Sequence, residues 1–139
     1  MPSATVLLLC PDSGKPTTMG WHEHTTRTGR AGEAAGAAYL EGKGYEILAR
    51  NYRTHDSELD IVAFDPRDRT LVCVEVKTWR RPYFPMDDLR YAIPPAKYHR
   101  LRRGLAQFIA SQLQLQYDFI RIDVLLHYGE QTVHIEGEA

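Results

Sequence analysis

The feature that most constrains the fold of this chain is an apolar run that ends in charged residues. The sequence Leu-Val-Cys-Val at positions 71–74 is almost unbroken and rich in β-branched residues, which is typical of a strand covered on both faces. Such a strand needs packed layers above and below it, so the chain is expected to form a sheet flanked by helices. Glu75 and Lys77 follow at once, and charges at the end of such a strand require an explanation.

Hydrophobic periodicity predicts two helices and five strands. The first helix is alanine-rich and ends before Gly44, where a helix C-terminus favours glycine; the second begins at Pro94 and Pro95. The predicted elements are a helix at 30–43, strands at 45–52, 58–64 and 70–78, a helix at 96–113, and strands at 119–127 and 132–136. This α-β-β-β-α-β-β order predicts an α/β fold with a mixed central sheet flanked by helices.

Apolar residues recur at helical spacing in both predicted helices. In the first they are Ala31, Ala34, Ala35, Ala38 and Tyr39. In the second they are Leu101, Leu105, Phe108, Ile109 and Leu113.

The length of 139 residues suits one domain. Proline, glycine, serine and threonine break any periodicity near the start, which predicts a flexible arm at 1–27 and a single domain at 28–139. No apolar run approaches the roughly 18 residues that span a membrane. Cys73 lies inside a predicted strand and is expected to be a buried thiol in a reducing compartment, so a cytoplasmic location is expected.

Charge is unevenly distributed along the chain. The net charge is -1, yet the segment from Lys77 to Arg103 holds eight basic and two acidic residues. Such a basic segment indicates either phosphate binding or simply a solvated helix face. The residues we expect to bind nucleic acid are Arg80, Arg81, Lys97, Arg100, Arg102 and Arg103.

Three charged residues form the candidate site. Side chains two apart on a strand share a face, so Glu75 and Lys77 project together. If the second and third strands form a hairpin, Asp60 lies opposite Glu75. Carboxylate oxygens suit Mg²⁺, which takes one or two protein carboxylates together with waters and a substrate phosphate. Lys77 beside such a metal could position an attacking water and neutralise charge on the phosphorus. The alternative is an exposed salt-bridging pair, and Asp60 on the neighbouring strand favours the functional interpretation.

The pattern resembles the restriction-endonuclease-like, PD-(D/E)xK superfamily and, more narrowly, the bacterial YraN family, which is related to archaeal Holliday-junction resolvases. The resemblance covers about residues 29 to 136 and depends on several short motifs. They are the segment 29–33, Gly44-Tyr45-Glu46-Ile47-Leu48, Arg50-Asn51-Tyr52-Arg53, Glu58-Leu59-Asp60-Ile61-Val62-Ala63, Val74-Glu75-Val76-Lys77-Thr78 and Arg121-Ile122-Asp123-Val124.

The resemblance implies a restriction-endonuclease-like fold and assigns roles by position. Asp60 and Glu75 match the metal-binding acids, and Lys77 matches the active-site lysine. Glu33 matches a helix glutamate that, in several branches of the superfamily, contacts the metal or its water. The chain departs from the family pattern at Ser57, where glycine is usual, and at Trp79, where a basic residue is usual.

Two functions of different classes remain open from the sequence. The first is a Mg²⁺- or Mn²⁺-dependent endonuclease that hydrolyses DNA phosphodiester bonds, with branched or structured DNA as a candidate substrate and a homodimer as a candidate assembly. The second is a nucleic-acid-binding accessory protein that keeps the fold and the acids with little or no turnover. A structural module whose basic segment binds an acidic protein is a third, weaker alternative.

Overall fold

The computed structural model describes residues 20–79, 93–128 and 130–137, with the backbone alone described for 20–30, 79 and 128. The elements are α1 (Gly20–Gly42), β1 (Glu46–Arg53), β2 (Glu58–Asp65), β3 (Thr70–Trp79), α2 (Pro95–Ala110), β4 (Phe119–Tyr128) and β5 (Gln131–Ile135). The order predicted from the sequence is confirmed, and each predicted strand end lies within one residue of the observed one. Residues 1–19 of the predicted arm lie outside the described residues.

The five strands form one mixed sheet in the order β1-β2-β3-β4-β5. Three of the four strand pairs are antiparallel, and β3 and β4 are parallel along their whole length. A parallel pair needs a crossover connection, and α2 lies within that connection. The predicted mixed sheet flanked by helices is therefore confirmed, with β3 at its centre.

The apolar run at 71–74 is buried on both faces of the sheet, as predicted. Leu71 and Cys73 pack into the core beneath α2, whereas Val72 and Val74 pack into a second core beneath α1. Burial raises the pKa of the Cys73 thiol well above its usual value. The side chains of β3 therefore alternate between two apolar layers. A charged residue of β3 avoids burial in these layers only if it lies beyond the end of one of them.

Helix α1 packs on the sheet through a face different from the one that its alanines suggested. The alanines at 31, 34, 35 and 38 are exposed. Among residues 31–42 of α1, those buried against the sheet are Gly32, Glu33, Gly36, Ala37 and Leu40. A side chain at Gly36 would place its Cβ 3.2 Å from Cδ1 of Leu125, so glycine permits the close approach.

The C-terminus of α1 agrees with the prediction, whereas its N-terminus does not. The helix begins at Gly20, ten residues before the predicted start, because residues 20–29 carry no apolar repeat that could reveal it. Its C-terminus is as predicted: Gly44 has a φ of 95°, and the Tyr45 N–H donates to the Leu40 carbonyl at 3.0 Å.

Helix α2 begins at Pro95, as expected, and ends at Ala110. The Ser111 hydroxyl donates to the Phe108 carbonyl at 2.7 Å and closes the last turn. Leu113 lies beyond this end and is 94% exposed, so its predicted place in the apolar stripe is wrong. Within the described ranges, neither helix has the length and apolar character that crossing a bilayer requires.

Candidate active site

The strands β2 and β3 stop pairing with each other at the candidate site. Their ladder runs from Asp65 and Thr70 to Ile61 and Val74, and the next residues would be Asp60 and Glu75. Beyond that point β2 remains paired with β1, and β3 remains paired with β4. We call the place between Asp60 and Glu75 the fork, and it leaves the backbone groups on its two sides without their usual strand partners.

The carboxylate of Asp60 replaces a missing ladder bond at the fork. Its Oδ2 accepts a hydrogen bond from the Val76 backbone N–H at 2.9 Å. Burial, followed by the negative charge of Glu75, raises the pKa of Asp60 to about 8, and the Val76 hydrogen bond only partly opposes this rise. Asp60 is therefore fixed in orientation and surrounded by more negative charge than its protein contacts neutralise.

Glu75 is held by two lysines. It is 5% exposed, and its Oε2 lies 2.6 Å from Nζ of Lys97 and 3.8 Å from Nζ of Lys77. Lys77 follows Glu75 on the same face of β3, and Lys97 comes from the first turns of α2, which covers that face. Glu75 is thus a buried carboxylate with two cations, and not one half of an exposed pair on a solvated strand.

Glu33 reaches the fork from α1. It lies on the buried face of the helix, one turn before Ala37, and its Oε1 is buried without a hydrogen-bond partner among the described residues. Burial raises the pKa of Glu33, while polar contact with Asp60 and Asn51 and the charge of Arg50 lower it. The contact with Asp60 places the helix glutamate beside the first of the two strand acids.

The structure brings together the four residues predicted to be catalytic and adds Lys97 to them. Lys97 was expected on a nucleic-acid-binding surface, but its ammonium group lies on Glu75. Leu101, four residues later and buried, lies on the same face of α2 as Lys97, but this spacing does not show which group of the sheet the ammonium reaches.

The predicted nucleic-acid-binding arginines that the structure describes differ from Lys97 in their surroundings. Arg100 and Arg102 are exposed, and the guanidinium of Arg102 lies 5.9 Å from the centroid of the Tyr98 ring. Arg103 is paired with Asp56 at 3.5 Å. Arg80 and Arg81 lie outside the described residues.

A second group of buried charges lies away from the fork, on the α1 side of the sheet. Arg121 and Asp123 pair at 2.9 Å, and Nε2 of His134 lies 2.7 Å from Asp123. Arg121 also lies 3.4 Å from Asp65, the last residue of β2. The motif that contains Arg121 and Asp123 therefore links strands in the core and contributes nothing to the fork.

The donor set at the fork suits a hard divalent cation. Asp60 and Glu75 offer carboxylate oxygens, and Mg²⁺ binds through one or two such groups with waters and phosphate oxygens. The partnerless Oε1 of Glu33 and the raised pKa of Asp60 are both features that a cation would relieve. No group of three or more His, Cys, Asp or Glu side chains is arranged to hold a metal ion in the part of the chain that the structure describes. The binding of a cation at the fork would therefore depend on Asp60 and Glu75.

The chain is similar in sequence to one family of proteins along most of its length. Residues 32–126 match the "Uncharacterised protein family UPF0102". A UPF0102 protein of Mycolicibacterium gilvum is 37% identical over 114 residues, covering 78% of this chain and 90% of the relative. A UPF0102 protein of Bifidobacterium longum is 36% identical over 110 residues, covering 76% of this chain and 86% of the relative.

A third relative extends the same result to another genus. A UPF0102 protein of Mycobacterium tuberculosis is 40% identical over 97 residues, which cover 70% of this chain and 73% of the relative. The family match includes all of β1, β2, β3 and α2 and most of β4, and thus every residue described at the fork. The chain belongs to the UPF0102 or YraN family, within the restriction-endonuclease-like superfamily.

Proposed function

We propose that this protein is a metal-dependent endonuclease that hydrolyses phosphodiester bonds of DNA. The observation that carries the proposal is the fork, where the buried Glu75 lies between Lys77 and Lys97 and next to Asp60. A buried acid, a second acid beside it and two partly buried lysines at one end of an apolar sheet are costly to place there without a function. Phosphodiester hydrolysis uses both, because the acids can hold a cation and the lysines can bind the phosphate.

The two strand acids would hold Mg²⁺ or Mn²⁺ in this proposal. When bound, the metal supplies positive charge to the phosphate and lowers the pKa of a coordinated water. The hydrogen bond from the Val76 N–H fixes Asp60, and the ammonium of Lys97 fixes Glu75, so neither carboxylate has to be ordered when the substrate arrives.

The remaining charged residues act on the substrate and on water. Lys77 lies on the same strand face as Glu75, from which its ammonium can donate to a phosphate oxygen as charge develops there. The free Oε1 of Glu33 can accept a hydrogen bond from the attacking water. Water attacks the phosphorus and gives up one proton, the phosphorus–oxygen bond to the leaving nucleoside breaks, and the leaving oxygen takes up one proton, so that one water yields a phosphomonoester and a hydroxyl group.

The basic residues of α2 are proposed to bind the DNA backbone. Arg100 follows Lys97 by one turn and is exposed, so a phosphate chain that enters at Lys97 can continue along this helix. We also propose branched or structured DNA as the substrate and a homodimer as the assembly, because the family is related to Holliday-junction resolvases. Sedimentation of the protein with and without a four-way junction tests the homodimer.

A cleavage assay tests the proposal directly. Purified protein is incubated with duplex, single-stranded, flapped and four-way DNA in EDTA, Mg²⁺ or Mn²⁺. We expect cleavage with the metals only, and its loss in Asp60→Asn and Lys77→Met. Matched controls are Asp118→Asn, an exposed acid paired with Arg69, and Lys43→Met, an exposed lysine at the end of α1, both of which should cleave as wild type does.

A nucleic-acid-binding accessory protein without turnover is the second candidate. The observation in its favour is that Asp60 and Glu75 both already have protein partners, the Val76 N–H and the ammonium of Lys97. DNA binding by wild type with no cleavage of any substrate in Mn²⁺ would favour this function. Cleavage that persists in Lys77→Met and Asp60→Asn would contradict the proposed site.

A further inference from the structure

Asn51 occupies an irregular position in β1, directly across from the fork. Arg50 pairs with Ile61 and Tyr52 pairs with Leu59, so the intervening position sets Asn51 against Asp60. The same register holds on both sides of this position. Asn51 therefore lies on β1 directly beside the acid at which the β2–β3 ladder has ended.

The backbone of Asn51 is in the left-handed region, with a φ of 55°. This conformation is unfavourable for residues with a Cβ, and asparagine tolerates it better than most. A left-handed residue inside a strand turns its side chain away from the direction that regular alternation would give. Strained backbone of this kind is concentrated at functional sites, and here it lies beside the candidate acids.

The amide of Asn51 is near enough to the carboxyl group of Glu33 to lower the pKa of that carboxyl, against the rise that burial causes. Glu33 also contacts Asp60, so Asn51 lies next to the junction of the helix acid and the strand acid. We propose that Asn51 is a positioning residue of the fork, held in a left-handed conformation opposite Asp60 so that its amide orients the Glu33 carboxyl. This inference rests on the proposed function, because it concerns the arrangement of the same acids.

Two substitutions separate the amide from the backbone conformation. Asn51→Gly keeps the left-handed backbone without strain and removes the amide. Asn51→Asp also tolerates this backbone, but it places a third carboxylate against Glu33 and Asp60. The matched control is Arg69→Gly, because Arg69 is also left-handed, with a φ of 60°, and lies at the opposite end of β2 and β3.

Mn²⁺ binding is measured by titration calorimetry, and DNA affinity is measured in EDTA. We expect Asn51→Gly to weaken Mn²⁺ binding and slow cleavage by about tenfold, since residues that orient metal ligands typically have effects of this size. Asn51→Asp should be weaker still. DNA affinity should stay within about twofold of wild type, and Arg69→Gly should match wild type throughout. Wild-type Mn²⁺ binding and cleavage in both Asn51 variants would overturn the inference.

Thermal unfolding tests the role of Asn51 independently of the proposed function. If wild type binds no Mn²⁺, the proposed function fails, and thermal unfolding in EDTA then tests the contact itself. The midpoints of Asn51→Gly, Glu33→Gln and the double variant form a double-mutant cycle. We expect the two shifts to be non-additive, and additive shifts would overturn the role of Asn51.

Discussion

Asp60 and Glu75 lie across the fork from each other, but their surroundings carry opposite charge. Asp60 has Glu33 and Glu75 as neighbours and a single backbone N–H as donor. Glu75 has the ammonium groups of Lys77 and Lys97. Replacing each acid by its amide therefore changes stability in opposite directions.

Asp60→Asn should stabilise the metal-free protein, and the gain should grow with pH. The pKa of Asp60 is about 8 in the folded state and about 3.9 in the unfolded state, so the folded state binds its proton more tightly. Stability from this group is complete below pH 4 and is lost as the pH rises through 8. Asparagine cannot ionise and can still accept the Val76 N–H. Urea unfolding in EDTA should show a gain of several kcal/mol at pH 9 and a clearly smaller gain at pH 5. A gain that shrinks as the pH rises would contradict the assignment.

Glu75→Gln should destabilise the metal-free protein. The substitution leaves two lysine ammonium groups, which are only partly exposed, without their carboxylate. The expected cost is about 1 to 3 kcal/mol in urea unfolding with EDTA, limited by the water that reaches both lysines. Asp118→Asn, which removes an exposed acid, is the control and should change stability by less than about 0.5 kcal/mol. Equal stability of Glu75→Gln and wild type would show that the lysines do not depend on this acid.

The sequence predicted which residues form the site better than it predicted the contacts between them. Asp60, Glu75 and Lys77 could be placed together because strand alternation and a short hairpin are local rules. Lys97 could not, since its contact with Glu75 depends on how α2 lies across the sheet. The rotation of a helix about its axis is a property of packing, and spacing alone does not fix it.

At the scale of elements, α2 is positioned by a close contact with the loop before β2. A Cβ at Gly104 would lie 2.7 Å from Oγ of Ser57 and 3.0 Å from Cδ2 of Leu59. The Ser57 hydroxyl is buried and has no partner among the described residues. Ser57 therefore lies against a helix glycine, and this contact sets the distance of α2 from the sheet that carries Glu75.

Gly104→Ala should destabilise the fold, and Ser57→Gly should reduce that cost. The added methyl group overlaps the Ser57 side chain, and overpacking of this kind costs about 1 to 3 kcal/mol. Removing the Ser57 side chain makes room for it. Urea unfolding of both single variants and the double variant measures the coupling. Purely additive effects would show that the two residues do not limit the approach of α2.

Element prediction succeeded for strands and was less exact for helices. The strands carry a period of two and end at clear turn residues, such as Asp65 and Pro66 before Arg67. The alanines of α1 predicted a helix but named the wrong face, because the buried face consists of glycines, alanine, leucine and Glu33. Leu113 fitted the apolar stripe of α2, yet the helix ends at Ala110 before it.

At the scale of the whole molecule, the buried charge of the described residues is divided between two places. At the fork, acids and lysines lie together, and their charges are not fully compensated by other protein groups. The group of Asp65, Arg121 and Asp123 is almost fully buried; ion pairs of Arg121 join β2 to β4, and the contact between Asp123 and His134 joins β4 to β5. The first place is arranged for chemistry in our proposal, and the second stabilises the sheet.

The second group should make the fold sensitive to acid. Burial alone would raise the pKa of Asp65, but hydrogen bonds and charge from Arg67 and the charge of Arg121 outweigh it and lower the pKa to about 2. Because the unfolded value is about 3.9, this stability is present above pH 4 and lost as the pH falls through 2. The loss should be about 2 to 3 kcal/mol in urea unfolding, and Asp65→Asn should lack it. An unchanged acid dependence in that variant, with Asp118→Asn as the control, would contradict this role.

The parallel pairing of β3 with β4 also determines when the fork can be completed during folding. The hairpin of β2 and β3 is local in sequence, so Asp60 and Glu75 can meet early. Lys97 arrives only with α2, and the ladder that fixes β3 on its other side needs β4, which follows α2 along the chain. Such non-local contacts require loop closure before they gain any stability, and they form late. During synthesis the two acids would thus be assembled before the lysine that neutralises Glu75, and a chain that ends before β4 would lack a complete site.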